Sequence, residues 1–305
     1  MISDRKHSPT HRDRENKLYE KKRRILPEAA FFLLIVLCFL YFDFYLCQYA
    51  LDDRRTVMEN RHVSVSEAIL LPESAEEKHE DPSIPENADT VSEESASVFL
   101  HLSGYHPLTV DHTALKEENA DYIGWIDIPE TRISYPVYRC DSNFDYLHSD
   151  ARHNYLYAGC IYRDANTEED SQNTVLHGHN MRSGTMFAGL NRYLTEGRDF
   201  FTKHRMIVYY PADGGIEVYS VYSVYTASAA EAESFSFTPT FPGKDEYKKF
   251  LQSACERSIY SSGYTPDPSE KTLTLSTCTG TSRENRRCIV HAGLVLKQNT
   301  SAERK

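Results

Sequence analysis

From residue 122 onward, the chain consists largely of short segments in which apolar and polar residues alternate. The clearest are Thr272–Cys278 and Arg287–Leu296. A period of two places successive side chains on opposite faces, which is the pattern of a β-strand rather than of a helix. About eight such segments, with few helices between them, predict a mainly β domain whose strands form a closed or nearly closed barrel.

The other predicted elements lie upstream of these two strands. The same alternation predicts further strands at residues 122–129, 133–138, 156–162, 173–179, 206–210 and 216–226. The last two are predicted to form a hairpin across the proline- and glycine-containing residues 211–215. Apolar residues at helical spacing predict a short helix over 186–193 and a longer amphipathic helix over 244–260.

A long apolar run, Ala29–Phe42, extends past Asp43 to Leu51. Residues 29–51 would form about 35 Å of helix, enough to cross a hydrocarbon core of ~30 Å. Basic residues precede the run, which predicts a cytoplasmic N-terminus and an extracellular C-terminal side. A cleaved signal peptide, a lipid-modified Cys47 and a buried soluble helix are the alternatives. The first two fit poorly, because small residues are lacking before the cleavage or lipidation point.

Acidic residues and scattered prolines dominate the stretch after the apolar run. Such a stretch buries too little apolar surface to fold by itself, so it is predicted to be a stalk. Residues 54–71 can continue as helix near the membrane. The net charge of −11 argues against a nucleic-acid partner. The predicted organisation is a basic cytoplasmic tail (1–28), a transmembrane anchor (29–51), an acidic stalk (52–107), one folded β domain (108–297) and a polar tail (298–305).

The seven cysteines show no paired spacing, so they do not predict a disulfide framework. Cys278 differs from the others because it ends a predicted strand and polar residues follow it. An isolated cysteine is more often a small buried apolar residue than a nucleophile. A thiol at a strand exit, however, can face a cleft and still be held rigidly, so Cys278 is the candidate nucleophile.

Two histidines, His177 and His179, stand near the end of the predicted strand at 173–179. A His-x-His pair places both rings on one face of a strand and can bind a metal ion, but no further ligand stands at a supporting spacing. Without a metal, one histidine can act as general acid and base. We favour His179, which is nearer the loop.

Arg287 opens the predicted strand that follows the cysteine strand. Its ordinary interpretation is a surface arginine, since Arg283 and Arg286 are close by. An arginine at the head of a strand beside the thiol can also donate hydrogen bonds to a developing oxyanion or to a substrate carbonyl. Cysteine, histidine and arginine at strand ends are together the components of a thiol acyl-transfer site.

These residues in this order resemble the sortases, the cysteine transpeptidases of Gram-positive cell surfaces. The motifs that carry the resemblance are Gly178-His179-Asn180, Thr274-Leu275-Ser276-Thr277-Cys278 and Arg287. Class B sortases are the closer match, through Asp121-Tyr122-Ile123-Gly124-Trp125-Ile126, Met186-Phe187, the helix at 244–260 and Val290-His291-Ala292. The resemblance covers roughly residues 108–297. His177 departs from it, because class B members often have an aromatic residue there. The arginine could be Arg286 by a one-residue slip, but the Val290-His291-Ala292 alignment favours Arg287.

The resemblance implies a sortase-type β-barrel that needs no cofactor or metal. It implies that Cys278 attacks an LPxTG-like sorting signal of surface proteins, that His179 serves as acid and base, and that Arg287 stabilises the oxyanion or fixes the substrate. Ser276 and Thr277 are expected to line the substrate groove.

The acceptor implied by the resemblance is an amine of a peptidoglycan precursor. A pilin lysine, or water in a plain hydrolysis, is the alternative. A metal-binding or non-enzymatic surface module using His177 and His179 is the alternative of another class. A papain-like protease is disfavoured, since there the cysteine precedes the histidine.

Overall fold

The computed structural model describes residues 30–47, 63–65, 105–280 and 285–298. The chain divides into two compact units, Met1–Arg54 and Arg55–Lys305. The predicted basic tail, and nearly all of the predicted stalk and polar tail, lie outside the described residues.

Eight strands of the second unit form a closed barrel, as the alternation predicted. They are β3 (Tyr122–Asp127), β4 (Ser134–Tyr138), β5 (Ile161–Arg163), β6 (Asn173–His177), β7 (Met206–Pro211), β8 (Ile216–Ser228), β9 (Thr272–Thr279) and β10 (Arg286–Gln298). Their order around the barrel is β10-β8-β7-β3-β4-β5-β6-β9. β6 and β9 are therefore neighbours in the barrel although 94 residues lie between His177 and Thr272 in the sequence.

The three strands that carry the candidate residues are adjacent. β6 runs parallel to β9, with His177 opposite Ser276. β10 runs antiparallel to β9, with Arg287 opposite Cys278. Since β6 and β9 are parallel and β10 is antiparallel to them, the ends of β6 and β9 and the start of β10 meet at one end of the barrel.

Two predicted strands are shorter than the alternation suggested. The strand expected over 156–162 is reduced to β5, because Gly159 adopts a positive φ of 58° and the chain turns there. The strand expected over 173–179 stops at His177, so His179 lies in the following loop.

The helices pack around the barrel. They are α2 (His112–Glu118), α3 (Arg192–Thr195), α4 (Gly197–Lys203), α5 (Ala229–Glu231) and α6 (Lys244–Arg257), with a 3-10 helix at Phe187–Asn191 and a π-helical turn at Ala232–Ser236. The apolar stripe predicted for the amphipathic helix is the buried face of α6, formed by Tyr247, Phe250, Leu251 and Ala254. The barrel interior holds the largest apolar cluster, which includes Leu275 and Cys288.

A short strand, β1 (Val63–Val65), pairs with β2 (Leu108–Val110). The suggestion of helix over 54–71 is wrong at these three residues, which are extended. Their backbone groups are satisfied by pairing with a strand at the start of the predicted β domain.

The first unit contains α1 (Ala30–Cys47), a helix with a mean hydropathy of 2.4 whose apolar side chains are exposed. At about 27 Å, 18 residues of helix come close to the thickness of a hydrocarbon core. By length and composition this helix is suited to cross a membrane, although a signal sequence has the same properties.

Candidate active site

Cys278 and Arg287 are in direct contact. They face each other across β9 and β10, and Arg287 Nη1 donates a hydrogen bond to Cys278 Sγ at 2.5 Å. Both side chains are half-buried. A guanidinium is always charged and can only donate, so it favours a sulfur that carries negative charge. Arg286 is exposed and binds Thr226 Oγ1 at 2.6 Å instead, which places Arg287 rather than Arg286 at the thiol.

Strand register places His179 at the same end of the barrel as this pair. Its position is two residues past His177, just as Cys278 is two residues past Ser276, and His177 and Ser276 are register partners. The Gly178 N–H still donates to the Ser276 carbonyl at 3.2 Å, so the loop leaves the sheet at the level of Cys278. His179, Cys278 and Arg287, which are far apart in the sequence, thus come together at one end of the barrel.

The His179 ring has a defined tautomer. Its Nε2 lies 2.8 Å from the Leu147 carbonyl oxygen, which can only accept, so Nε2 carries a proton. In the neutral ring Nδ1 is then the basic nitrogen, available for exchange of a proton with a reacting group. The Leu147 carbonyl therefore orients the candidate acid and base as a carboxylate does in a catalytic triad.

Two further rings pack against His179 from the loop between β4 and β5. His148 stacks on it with a centroid distance of 5.0 Å and an interplanar angle of 19°. Tyr157 lies nearly parallel to it at 6.2 Å and 5°. His148 and Tyr157 also stack on each other at 5.5 Å, so the three rings form one cluster.

The environment of His179 opposes a positive charge. Burial lowers the pKa of its imidazole, the Leu147 carbonyl acts in the opposite direction, and the charges of His148 and Arg287 lower the pKa further. The net direction is downward, so the ring is neutral over most of the physiological range and can accept a proton.

His177 has a separate partner. Its Nε2 lies 2.9 Å from Asp164 Oδ2, and its ring packs edge-on against Phe237 at 4.8 Å. Burial raises the pKa of Asp164, but hydrogen bonds from His177, Asn166 and Asn143 outweigh it and lower the pKa to about 2. Within the described residues no three His, Cys, Asp or Glu side chains gather as metal ligands would. Because His177 and His179 bind different partners, the geometry gives no support to the metal-pair alternative.

Ser276 and Thr277 are buried, each with 2% of its surface exposed. Neither hydroxyl has a hydrogen-bond partner in the described part of the chain. Their burial is at odds with an open groove lined by these two side chains, so their contact with a substrate stays a prediction. Behind the thiol, Asn191 Nδ2 donates to the Cys278 carbonyl oxygen at 3.2 Å and ties the 3-10 helix to the end of β9.

Gly178 shows why a glycine separates the two histidines. A Cβ at this position would lie 2.4 Å from Ile161 Cδ1 and 2.8 Å from Phe187 Cγ. Both neighbours belong to the packed barrel interior. A glycine at this position therefore lets two side chains of the interior approach the backbone closely.

Sequence reasoning missed Leu147 and His148, which contact the His179 ring. It also missed Asp164, which binds His177, and Asn191, which binds the Cys278 carbonyl oxygen. Leu147 acts through its backbone carbonyl, and a side-chain pattern carries no signal for that. His148 and Tyr157 lie in a loop without periodicity, so no pattern in the sequence marks them.

Comparison with known proteins identifies the family. The sortase domain model matches residues 126–295. Sortase B of Listeria monocytogenes is 32% identical over 186 residues, which span 60% of this chain and 73% of that protein.

Solved structures agree with this assignment. The crystal structure of Clostridium perfringens sortase B is 31% identical, with a TM-score of 0.57 over 60% of this chain and 99% of that one. A Staphylococcus aureus sortase B–substrate complex is 28% identical, with a TM-score of 0.55 over 62% and 85% of the two chains. Since the sortase domain covers more than half of its length and its relatives are sortases B, this chain belongs to the sortase family as a class B member, and it is a cysteine transpeptidase.

Proposed function

We propose that this transpeptidase cleaves an LPxTG-like sorting signal at the C-terminus of surface proteins and joins the protein to a cell-wall amine. The observation that carries the proposal is the contact of Arg287 with the Cys278 sulfur, at the same end of the barrel as His179, whose Nδ1 has no hydrogen-bond partner within the described residues. A sulfur nucleophile, a charged donor and a proton carrier are what acyl transfer through a thioester requires. The substrate complex of the S. aureus relative supports a peptide substrate.

In the first half-reaction Nδ1 of the neutral His179 takes the Cys278 thiol proton, and the resulting thiolate attacks the carbonyl carbon of the scissile peptide bond. Arg287 donates to the developing oxyanion or fixes the substrate carbonyl. The carbon–nitrogen bond then breaks, and the leaving amine takes the proton that His179 carries on Nδ1. The products are a thioacyl enzyme, a released amine and a neutral His179.

The second half-reaction runs through the same groups. The acceptor amine attacks the thioester carbonyl and gives a proton to Nδ1 of His179. The carbon–sulfur bond breaks and the sulfur takes that proton from Nδ1, which regenerates the thiol and the neutral imidazole. A peptidoglycan precursor amine, a pilin lysine and water can each enter at this step, and they yield different products.

The membrane-facing part of the proposal rests on α1 and on the basic residues that precede it. We place the N-terminus in the cytoplasm and the catalytic domain, residues 108–297, outside the cell. Secreted substrates that await wall attachment are exposed on that side of the membrane.

The test is mass spectrometry of the full chain in detergent micelles, incubated with a pool of sorting-signal peptides, first without and then with candidate amines. A thioester adduct on Cys278, absent in Cys278→Ala and converted to an amide by one amine, supports the proposal and identifies both substrates. A folded protein whose Cys278 reacts with iodoacetamide but takes no acyl group from any peptide contradicts the proposed substrate class.

A further inference from the structure

His148 has no role in the reaction described above, yet it lies directly on the His179 ring. The centroid distance of 5.0 Å and the angle of 19° correspond to stacking of the two rings. The residue immediately before it, Leu147, accepts the hydrogen bond from His179 Nε2. One dipeptide therefore holds the ring both at its edge and on its face.

The His148 ring is itself held. Its Nδ1 lies 2.9 Å from the Tyr157 carbonyl oxygen, which fixes Nδ1 as the donor. Tyr155 and Tyr157 pack against it at 6.4 and 5.5 Å. A ring that is anchored by a hydrogen bond and by two aromatic neighbours can serve as a rigid support for another ring.

We infer that His148 is a positioning residue of the transpeptidase: it fixes the plane of the His179 ring and is coupled to that ring electrostatically. The inference rests on the proposed role of His179 and extends it. A proton carrier must hold its nitrogen within a fraction of an ångström of the reacting atoms, so a support on the ring face bears directly on turnover.

The electrostatic part follows from the groups that face the two rings. His179 is faced by His148 and Tyr157 from the β4–β5 loop and by Arg287 from β10; His148 is faced by Tyr155, Tyr157 and His179. Arg287 is always charged, and a charge on His148 shifts the pKa of His179 in the same direction, downward.

Two substitutions separate the ring from the hydrogen bond. His148→Phe keeps a ring over His179 and loses the charge and the bond to Tyr157. His148→Asn keeps a donor near the Nδ1 position and loses the ring and the charge. His106→Phe removes an exposed histidine next to Tyr105, which is bonded to β3 and β7, and is the control for replacing a histidine outside this ring cluster.

The first measurement is an NMR titration of the His179 Cε1–H resonance in the full chain in detergent micelles, with the resonance assigned through His179→Asn. It requires no turnover, so it tests this inference even if the proposed substrate is wrong. Both His148 variants should move the His179 midpoint to higher pH, and the control should leave it in place. An unchanged midpoint in both variants overturns the electrostatic coupling.

The second measurement is kcat and KM of the wild type and both variants at one mildly alkaline pH. His148→Asn should lower kcat by about tenfold with KM little changed, the scale expected from a displaced catalytic group. His148→Phe should retain most of kcat, because the supporting ring is still present. If His148→Asn retains kcat while His148→Phe loses it, the bond to Tyr157 matters and the positioning by stacking is refuted.

Discussion

Acidification should destabilise the barrel through a buried histidine, His291. Its side chain is fully buried, with Nδ1 2.7 Å from Thr274 Oγ1 and Nε2 2.8 Å from the Tyr225 hydroxyl. The Thr274 hydroxyl donates its only proton to Asn173 Oδ1 at 2.6 Å, so it must accept from His291 Nδ1. Nε2 then accepts the hydroxyl proton of Tyr225. A second proton on the ring, at Nε2, would point at that hydroxyl proton and break the hydrogen bond.

The magnitude follows from the difference between the folded and unfolded states. Burial, together with the charge of Arg257, lowers the pKa of His291 from 6.5 to about 3. The unfolded chain therefore binds more protons below pH 6.5, and the stability that neutral His291 contributes is present above that pH and lost as the pH falls toward 3. Between pH 7 and pH 5 this one group should cost about 2 kcal/mol of unfolding free energy.

The assay is urea unfolding of the full chain in a non-ionic detergent, followed by tryptophan fluorescence across this pH range. Trp125 is the single tryptophan and is buried in the barrel domain, so the signal reports on that domain. The midpoint of the wild-type chain should fall by about 1 M urea more than that of His291→Gln, which cannot titrate. Equal pH dependence in the two proteins would refute the reasoning.

Two further substitutions test the site. Gly178→Ala should lower the unfolding free energy by about 1–3 kcal/mol in the same urea assay, because the new Cβ would press on Ile161 in the packed interior; an unchanged midpoint would show that the loop yields instead. Arg287→Lys should lower kcat/KM by about 10²–10³-fold, since it loses the donor that contacts Cys278. The matched change Arg286→Lys should have little effect, and equal losses in both would favour a general charge effect.

The fold was largely predictable from the sequence because apolar and polar residues alternate along the strands, although β8, β9 and β10 bury both faces over much of their length. Alternation at a period of two predicted β3, β4, β7, β8, β9 and β10 close to their observed bounds. It overestimated β5 and β6, where Gly159 turns the chain and where the strand ends before Gly178. At those points loop geometry, which periodicity does not encode, decides the structure.

The candidate site was predictable only in part. Cys278 and Arg287 come together because register makes them partners across β9 and β10, and the order of segments already suggested this. The support of His179 by Leu147 and His148 depends on a long loop that folds back over the end of the barrel. No local pattern predicts such a contact across about 30 residues of sequence, since loop closure is determined by tertiary packing.

The acid-sensitive network and the candidate site share the same three strands. Thr274 joins Asn173 of β6 to His291 of β10, and it stands on β9 four residues before Cys278. Side chains four residues apart on a strand share a face, so the network occupies the same face as the thiol, further along the sheet. A break at His291 therefore loosens the strands that set the register of Cys278 with its partners. Acid should consequently impair the geometry of the site as well as the stability of the barrel.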